Sequence, residues 1–298
     1  MPERIHLVLP LFAALMYVLG AMLIRRAADL GAGAWRTTVV NNLTSAVGFS
    51  TLLLLGGEPV VLSRLWQPAV VAVLYLGGQV MSFLALTRGD VSVATPVFSV
   101  KIIFVAVFSS MLLGEEVGWR VWLAAGLSVL AVRLLHRGPG RRGVAGSKPL
   151  GLTIAAAGGA AMCYSLFDVL VRRWSPAWGV GRFLPIMMGF AAIYSLPLVP
   201  LALKHRPGSD EARSWRWLLP GSLAITVQAM CFITALAVYG DVAAANIVYA
   251  TRALWSVLAV WGLGHWFHNT ERRQGGQVMG LRLAGAALLL AAIALVLT

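Results

Sequence analysis

Residues 16–26 read MYVLGAMLIRR and residues 163–173 read CYSLFDVLVRR, so that a tyrosine, two leucines and a final arginine pair recur 147 positions apart. A second match follows in the same order along the chain. Gly89-Asp90-Val91 and Gly240-Asp241-Val242 lie 151 positions apart. Two matches in one order predict that the chain contains an internal repeat.

The composition indicates the kind of protein in which this repeat lies. Of the 298 residues, 59% are hydrophobic and 12% are charged, and the mean hydropathy is +0.81. A soluble domain has about half apolar residues and about a quarter charged ones. The polar surface is therefore too small to cover a water-soluble globule. Because the apolar runs reach the roughly 20 residues that a spanning helix needs, the sequence predicts an all-α integral membrane protein.

The apolar stretches predict ten transmembrane helices, at residues 6–24, 34–55, 68–87, 91–113, 119–135, 150–171, 183–203, 217–239, 242–264 and 279–297. A segment rich in Gly, Pro and Arg divides them five and five. We therefore predict a first five-helix repeat at 1–136, a connector at 137–149 and a second repeat at 150–298. Because five is an odd number, the second repeat enters the membrane from the opposite side. Inverted-topology repeats are typical of secondary transporters, which bind solute near the midplane between the repeats.

The formal net charge of +13 arises from 24 Lys and Arg against 11 Asp and Glu. Most of these basic residues lie in the short loops between predicted spans, where they act as topology signals and contact anionic lipids. We therefore expect the lipid bilayer, and no nucleic acid, as the partner of these charges. The positive-inside rule applied to the loops favours both termini outside the cytoplasm.

Two basic residues lie inside predicted spans. Lys101 is ten residues into the fourth span and Arg252 is ten residues into the ninth, and the two correspond under the second repeat offset. At about 1.5 Å per residue both lie ~15 Å deep, near the midplane of a ~30 Å bilayer core. Charges at this depth are costly and mark substrate sites by default. Since at most one acid, Asp168, lies within a span, we expect the two cations to bind an anionic group of a solute.

Six further side chains complete the predicted binding site: Tyr249, Trp255, Tyr164, Tyr17, Asn246 and Gln79. Tyr249 and Trp255 lie three residues before and after Arg252, on the same helix face. Their rings can orient the guanidinium group and stack on an organic solute. The alternative for these aromatic and amide side chains is core packing and hydrogen bonding between helices.

Asp168 has two interpretations. Arg172 follows it at i+4 near the end of the span, and this spacing favours an interfacial salt bridge within one helix. The alternative is a coupling-ion or proton site, because a carboxylate inside a span is rare without a function.

Other residues that could indicate a site are interpreted as structural. His265 and His268 lie at a span end, where histidine is an ordinary interface residue, so that no metal site is predicted. Glycines within the spans, among them Gly48, Gly78 and Gly126, are expected at points of close helix packing.

Ten spans in two five-helix halves resemble the drug/metabolite transporter superfamily, and specifically its EamA-like members. The resemblance is carried by Thr95-Pro96-Val97 at the start of the fourth span, Leu113-Gly114-Glu115 at its end and Gly240-Asp241-Val242-Ala243 before the ninth. It covers nearly the whole chain, although Leu263-Gly264-His265 stands where the family pattern repeats Leu-Gly-Glu. The resemblance implies an inner-membrane carrier of small organic solutes, often an exporter of amino acids or related metabolites. It also implies cytoplasmic termini, against the loop charges.

The sequence thus leads to a specific hypothesis, in which the chain is a multi-pass secondary transporter in the inner or plasma membrane. It would move a small organic metabolite with a carboxylate or phosphate group by alternating access, in the direction of export. No Walker-type loop, nucleophile elbow or dinucleotide fingerprint is present, so neither an enzyme nor a cofactor is predicted. Two alternatives stay open, a flippase for a lipid-linked anionic carrier and a non-transporting membrane scaffold. A homodimer is also left open.

Overall fold

A computed structural model of the chain describes residues 7–87, 94, 97–135, 150–203, 211–263 and 276–297. Every regular element in these ranges is a helix. This confirms the predicted all-α class. A helix satisfies its backbone hydrogen bonds within one segment, which is what the hydrocarbon region of a bilayer demands.

The described residues form twelve α-helices, several of which continue into a short 3₁₀ or π turn. In chain order the helices are α1 (Val8–Asp29), α2 (Ala34–Ser50), α3 (Trp66–Thr87), α4 (Lys101–Phe108), α5 (Trp119–Leu135), α6 (Leu150–Trp174), α7 (Val180–Ser195), α8 (Val199–Leu203), α9 (Glu211–Tyr239), α10 (Val242–Tyr249), α11 (Arg252–Leu263) and α12 (Gly276–Leu297). The 3₁₀ turns are Thr51–Leu55, Leu62–Arg64, Ser175–Ala177 and Leu196–Leu198, and the π turn is Ser109–Leu113.

Six helical stretches within the described ranges are long and apolar enough to cross a membrane: Val8–Asp29, Ala34–Leu55, Leu62–Ala85, Gly151–Ala177, Val180–Leu203 and Ala212–Tyr239. Shorter apolar helices occupy Val97–Leu113 and Ala284–Leu295. The chain is therefore a multi-pass membrane protein. Helical residues also lie in the remaining predicted spans, and the count of ten transmembrane helices stays a prediction.

Two helices extend beyond the predicted span boundaries by five residues or more. Helix α1 continues past residue 24 to Asp29, and α9 begins at Glu211 instead of residue 217. Charged residues end a hydrophobic run without ending a helix. Arg25 Nε donates to Asp29 Oδ1 over 3.4 Å, an i,i+4 pair that supports the last turn of α1 outside the apolar run.

Large apolar side chains lie exposed on the outer faces of the helices. Leu54 is 90% exposed, Met111 is 74% exposed and Val47 is 70% exposed. A water-soluble protein rarely leaves so much apolar surface uncovered. These side chains are therefore suited to contact with lipid chains.

The chain forms two compact units. The first unit comprises Met1–Leu7, Gly77–Val169 and Asp241–Thr298, and the second comprises Val8–Leu76 and Leu170–Gly240. Each unit takes residues from both predicted five-helix repeats, 1–136 and 150–298. The connector at 137–149 lies outside the described residues, and the inverted relation of the repeats stays a prediction.

In the second unit, helix α1 packs along α9 through glycines on both helices. A Cβ atom added at Gly221 would lie 2.9 Å from Ile24 Cγ1 and 3.1 Å from the Ile24 backbone nitrogen. A Cβ atom added at Gly20 would lie 2.8 Å from Ile225 Cγ1. Small residues let membrane helices approach closely enough for dispersion to stabilise them, so this contact depends on the two glycines.

Of the three glycines named in the sequence analysis, two confirm the prediction of close packing and one contradicts it. An added Cβ would overlap Thr226 at Gly48 and would lie 2.8 Å from the Tyr164 ring at Gly78. At Gly126, by contrast, an added Cβ would meet nothing within 4 Å. Gly126 lies on an exposed face of α5, and the sequence alone does not show which helix faces meet another helix.

In the first unit, helix α5 packs along α12. Small side chains, among them Ala124, Ala125 and Ala292, are buried in this contact together with Leu289. Ile102 from α4, Ile247 from α10 and Ala253 from α11 join the same apolar cluster. The cluster therefore holds the helices that carry Lys101, Asn246 and Arg252.

Gly221→Ala should lower the melting temperature of the detergent-purified protein. The added methyl group meets the Ile24 backbone, and overpacking of this kind costs about 1–3 kcal/mol. Gly126→Ala is the matched control, since its methyl group enters open space and replaces the poorer helix former. Equal melting temperatures for Gly221→Ala and the wild type would contradict the close contact of α1 and α9.

Candidate functional site

Both cations predicted within spans lie at the first residue of a helix that begins after an interruption. Helix α4 begins at Lys101, after a turn at Val100, and α11 begins at Arg252, separated by two residues from the end of α10 at Tyr249. The backbone tightens at each interruption, because Ile103 N donates to Val100 O and Ala253 N donates to Ala250 O, each over 3.0 Å. These i to i−3 bonds have the 3₁₀ pattern that often marks a functional irregularity in a helix.

Lys101 forms an ion pair with Asp168. Its Nζ lies 2.8 Å from Asp168 Oδ2, and the exposed fractions of the two side chains are 17% and 2%. A buried charge is tolerated when it is paired and hydrogen-bonded. The pair joins α4 to α6, two helices that are far apart in the sequence.

Asn246 completes the environment of the carboxylate. Its Nδ2 donates to Asp168 Oδ2 over 2.8 Å and to Val242 O over 3.0 Å. Both amide protons are used, so the side chain is fixed between its own helix, α10, and the carboxylate. Asp168 Oδ2 thus accepts from two donors on two other helices.

Arg252 lies over an aromatic ring and acts on the ion pair through its charge. The guanidinium carbon is 4.4 Å from the centroid of the Tyr249 ring, within the range of a cation–π contact. Tyr249 is buried, so the ring fixes the orientation of the guanidinium group. The charges of Arg252 and Lys101 are near enough to repel each other.

Tyr164 and Ser165 support Lys101 from helix α6. The Lys101 Nζ lies 5.9 Å from the centroid of the Tyr164 ring. The ring occupies the space left by Gly78, where a Cβ atom would approach it to 2.8 Å. Ser165 Oγ lies 3.0 Å from the Lys101 carbonyl oxygen, so α6 also contacts the backbone at the interruption.

The structure brings most of the predicted site residues into the first unit. Lys101, Tyr164, Asp168, Asn246, Tyr249 and Arg252 form the group described above. Trp255 follows Arg252 by one turn of α11, and its Nε1 is buried without a hydrogen-bond partner in the described residues. Gln79 lies partly buried on α3 in the same unit, whereas Tyr17 lies on α1 in the second unit.

Two sequence-based interpretations need correction. Asp168 pairs with Lys101 and Asn246, whereas the predicted partner, Arg172, has its guanidinium group against Gly240. Lys101 is consequently neutralised inside the protein by a carboxylate of its own unit, contrary to the expectation that both cations await an external anion. The i,i+4 rule failed because the carboxylate lies on the buried face of α6, where donors from other helices reach it.

Ser165 is a residue that sequence reasoning missed. Its signal was available, because it lies three residues before Asp168 and therefore on the same face of α6. For metals, the described residues hold no cluster of three His, Cys, Asp or Glu side chains. His265 and His268 lie outside the described residues.

The arrangement has the chemistry of a polar site within apolar helices. Lys101 and Asn246 donate to Asp168 from two other helices, and the charge of Arg252 lies near that of Lys101. An excess of positive charge, a planar guanidinium group and aromatic rings together favour an organic anion.

The first half of the chain, residues 4–137, matches the model of the EamA-like transporter family. The match confirms the resemblance noted in the sequence. None of the curated proteins matches the chain.

Among solved structures, a crystal structure of a protein 16% identical to this chain aligns with a TM-score of 0.71. The alignment covers 97% of this chain and 96% of the other. At this identity the likeness shows the fold alone. It extends the similarity in fold to nearly the whole length of the chain.

Asp168→Asn should destabilise the protein strongly, because it leaves the Lys101 ammonium buried without its counter-charge. Breaking a buried pair in this way costs about 3–5 kcal/mol. The double variant Lys101→Gln/Asp168→Asn should recover most of the melting temperature, because neither charge then remains. Asp29→Asn, which removes an exposed i,i+4 pair, is the control and should change stability by less than about 1 kcal/mol. If the double variant loses as much melting temperature as the two single substitutions together, the ion pair does not exist.

Proposed function

From the match of residues 4–137 to the EamA-like transporter family, we propose that the chain is a secondary transporter of small organic solutes. Its ten transmembrane helices form two inverted five-helix repeats that expose a central site to each side of the membrane in turn. The site lies near the bilayer midplane, and the protein resides in the inner or plasma membrane. The direction of net transport is export.

The observation that carries this proposal is the group of three charged side chains in an apolar helical unit. Charges within membrane helices are costly, and such residues face a cavity or a partner and mark substrate or ion pathways. A purely structural unit gains little from a buried ion pair, because apolar side chains of similar volume stabilise at least as well. Lys101, Asp168 and Arg252 are therefore explained best by a solute site.

The solute carries a carboxylate or a phosphate group. Arg252 has a planar set of donors that can bind two oxygen atoms at once, and its contact with the Tyr249 ring holds that set in place. Lys101 supplies a second donor next to it. Tyr249, Trp255 and Tyr164 contact the organic part, for which their rings offer apolar area.

A thermal-shift screen of the purified protein against anionic, zwitterionic and cationic metabolites tests this proposal. A solute that binds only the folded protein raises the melting temperature by mass action. We expect carboxylates or phosphates to raise the melting temperature of the protein. Proteoliposomes that contain the protein should then take up the same compounds. If the proteoliposomes take up none of the soluble solutes and labelled lipid moves between the leaflets, the protein is a flippase and the proposal is wrong.

Arg252→Gln should weaken binding of the stabilising anions about 10- to 150-fold, because hydrogen bonds to a charged group contribute about 1.5–3 kcal/mol. Arg120→Gln is a matched control, since Arg120 also lies over a neighbouring ring, that of Trp119, but on an exposed surface. Isothermal titration calorimetry measures both variants. Wild-type affinity in Arg252→Gln, or stabilisation by cations alone, would contradict the anionic site.

A further inference from the structure

We infer that Asp168 is an internal counter-anion which the solute displaces, and that the displaced carboxylate takes up one proton, so that anion and proton are carried together. This inference rests on the proposed function. The inference adds a proton site to the proposed solute site. It assigns that proton site to the carboxyl group of Asp168.

Lys101 is the less buried partner of the pair. Its side chain is 17% exposed, whereas that of Asp168 is 2% exposed. A solute that enters the unit therefore meets the Lys101 side chain before it meets the carboxylate. An incoming carboxylate or phosphate oxygen can take the position that Asp168 Oδ2 holds at 2.8 Å from Nζ.

Within the described residues, the hydrogen bond that remains to the displaced carboxylate is the one from Asn246. Asn246 continues to donate to it, but Asn246 is a neutral amide whose second proton is bound to Val242 O. An ionised carboxylate left buried without a cation is so costly that such groups are neutralised instead. Uptake of one proton from the medium gives a neutral carboxylic acid, which still accepts from Asn246.

The charges balance in this exchange. Lys101 and Asp168 sum to zero before the solute binds, and Lys101, one monovalent anionic group of the solute and protonated Asp168 sum to zero afterwards. The empty and loaded sites consequently carry the same charge through the membrane. Because the empty and the loaded transporter carry equal charge at the site, neither state meets an additional electrostatic cost when the site changes sides of the membrane.

Among the described residues, the titratable or charged side chains shown near the pair are Tyr164 on α6 and Arg252 on α11, and Tyr249 on α10 lies against Arg252. Of these, Arg252 is the cation that could replace Lys101 as the partner of Asp168. In that case the carboxylate would stay ionised and no proton would be taken up, and the experiment below separates the two outcomes.

The test measures protons taken up when acetate, succinate or sulfate binds to the full-length protein in detergent. Titration calorimetry in buffers of different ionisation enthalpy gives this number directly. We expect uptake of one proton for each anion bound. Because binding then includes a proton, affinity should rise about tenfold for each unit by which the pH falls.

Asp168→Asn should bind the anion without taking up a proton, whereas Asp29→Asn should behave as the wild type does. An infrared difference spectrum of the wild type provides a second measurement that requires no variant. Addition of the anion should produce the C=O stretching band of a protonated carboxylic acid, and the band should persist in Asp29→Asn.

The outcomes separate this inference from the proposed function. Anion binding with no proton uptake and no carboxylic-acid band would overturn the inference and leave the anionic site intact. Binding of none of the three anions, with stabilisation by cations instead, would overturn the proposed anion site and this inference with it.

Discussion

The ion pair between Lys101 and Asp168 is the interaction on which the first unit depends. In an apolar environment either charge alone would be costly, and the pair is tolerated because one carboxylate oxygen accepts both from the ammonium group and from Asn246. Helices α4, α6 and α10 therefore meet at a single point. This directional contact limits the positions that the three helices can take more than apolar packing does, because apolar packing is non-directional.

The apolar contacts of the same unit allow the polar group to form. Alanine side chains between α5 and α12 bring these helices close, and Ile102, Ile247 and Ala253 fix α4, α10 and α11 to the same cluster. Each cation then lies at the first residue after an interruption of its helix. In our proposal, the contact that stabilises the unliganded site is also the contact that an anionic solute replaces, so that stability and transport would depend on the same atoms.

The helical class and the two cations could be predicted because each depends on a local property of the sequence. Hydropathy over about 20 residues defines a helix in a membrane, and a charge within such a run is conspicuous. The partner of Lys101 could not be found in this way, since spacing within one helix reports nothing about donors on other helices. Gly126 was misjudged for the same reason. Tyr17 was included as the repeat mate of Tyr164, yet it lies on α1 in the second unit.

The most direct measurement is an experimental structure of the protein with succinate bound. We expect the anion to lie against Lys101 and Arg252, and the Lys101 Nζ to have left the 2.8 Å contact with Asp168 Oδ2. Asn246 should still donate to the carboxyl group. An intact Lys101–Asp168 pair, with the anion bound elsewhere, would show that the two residues are structural and would contradict the account.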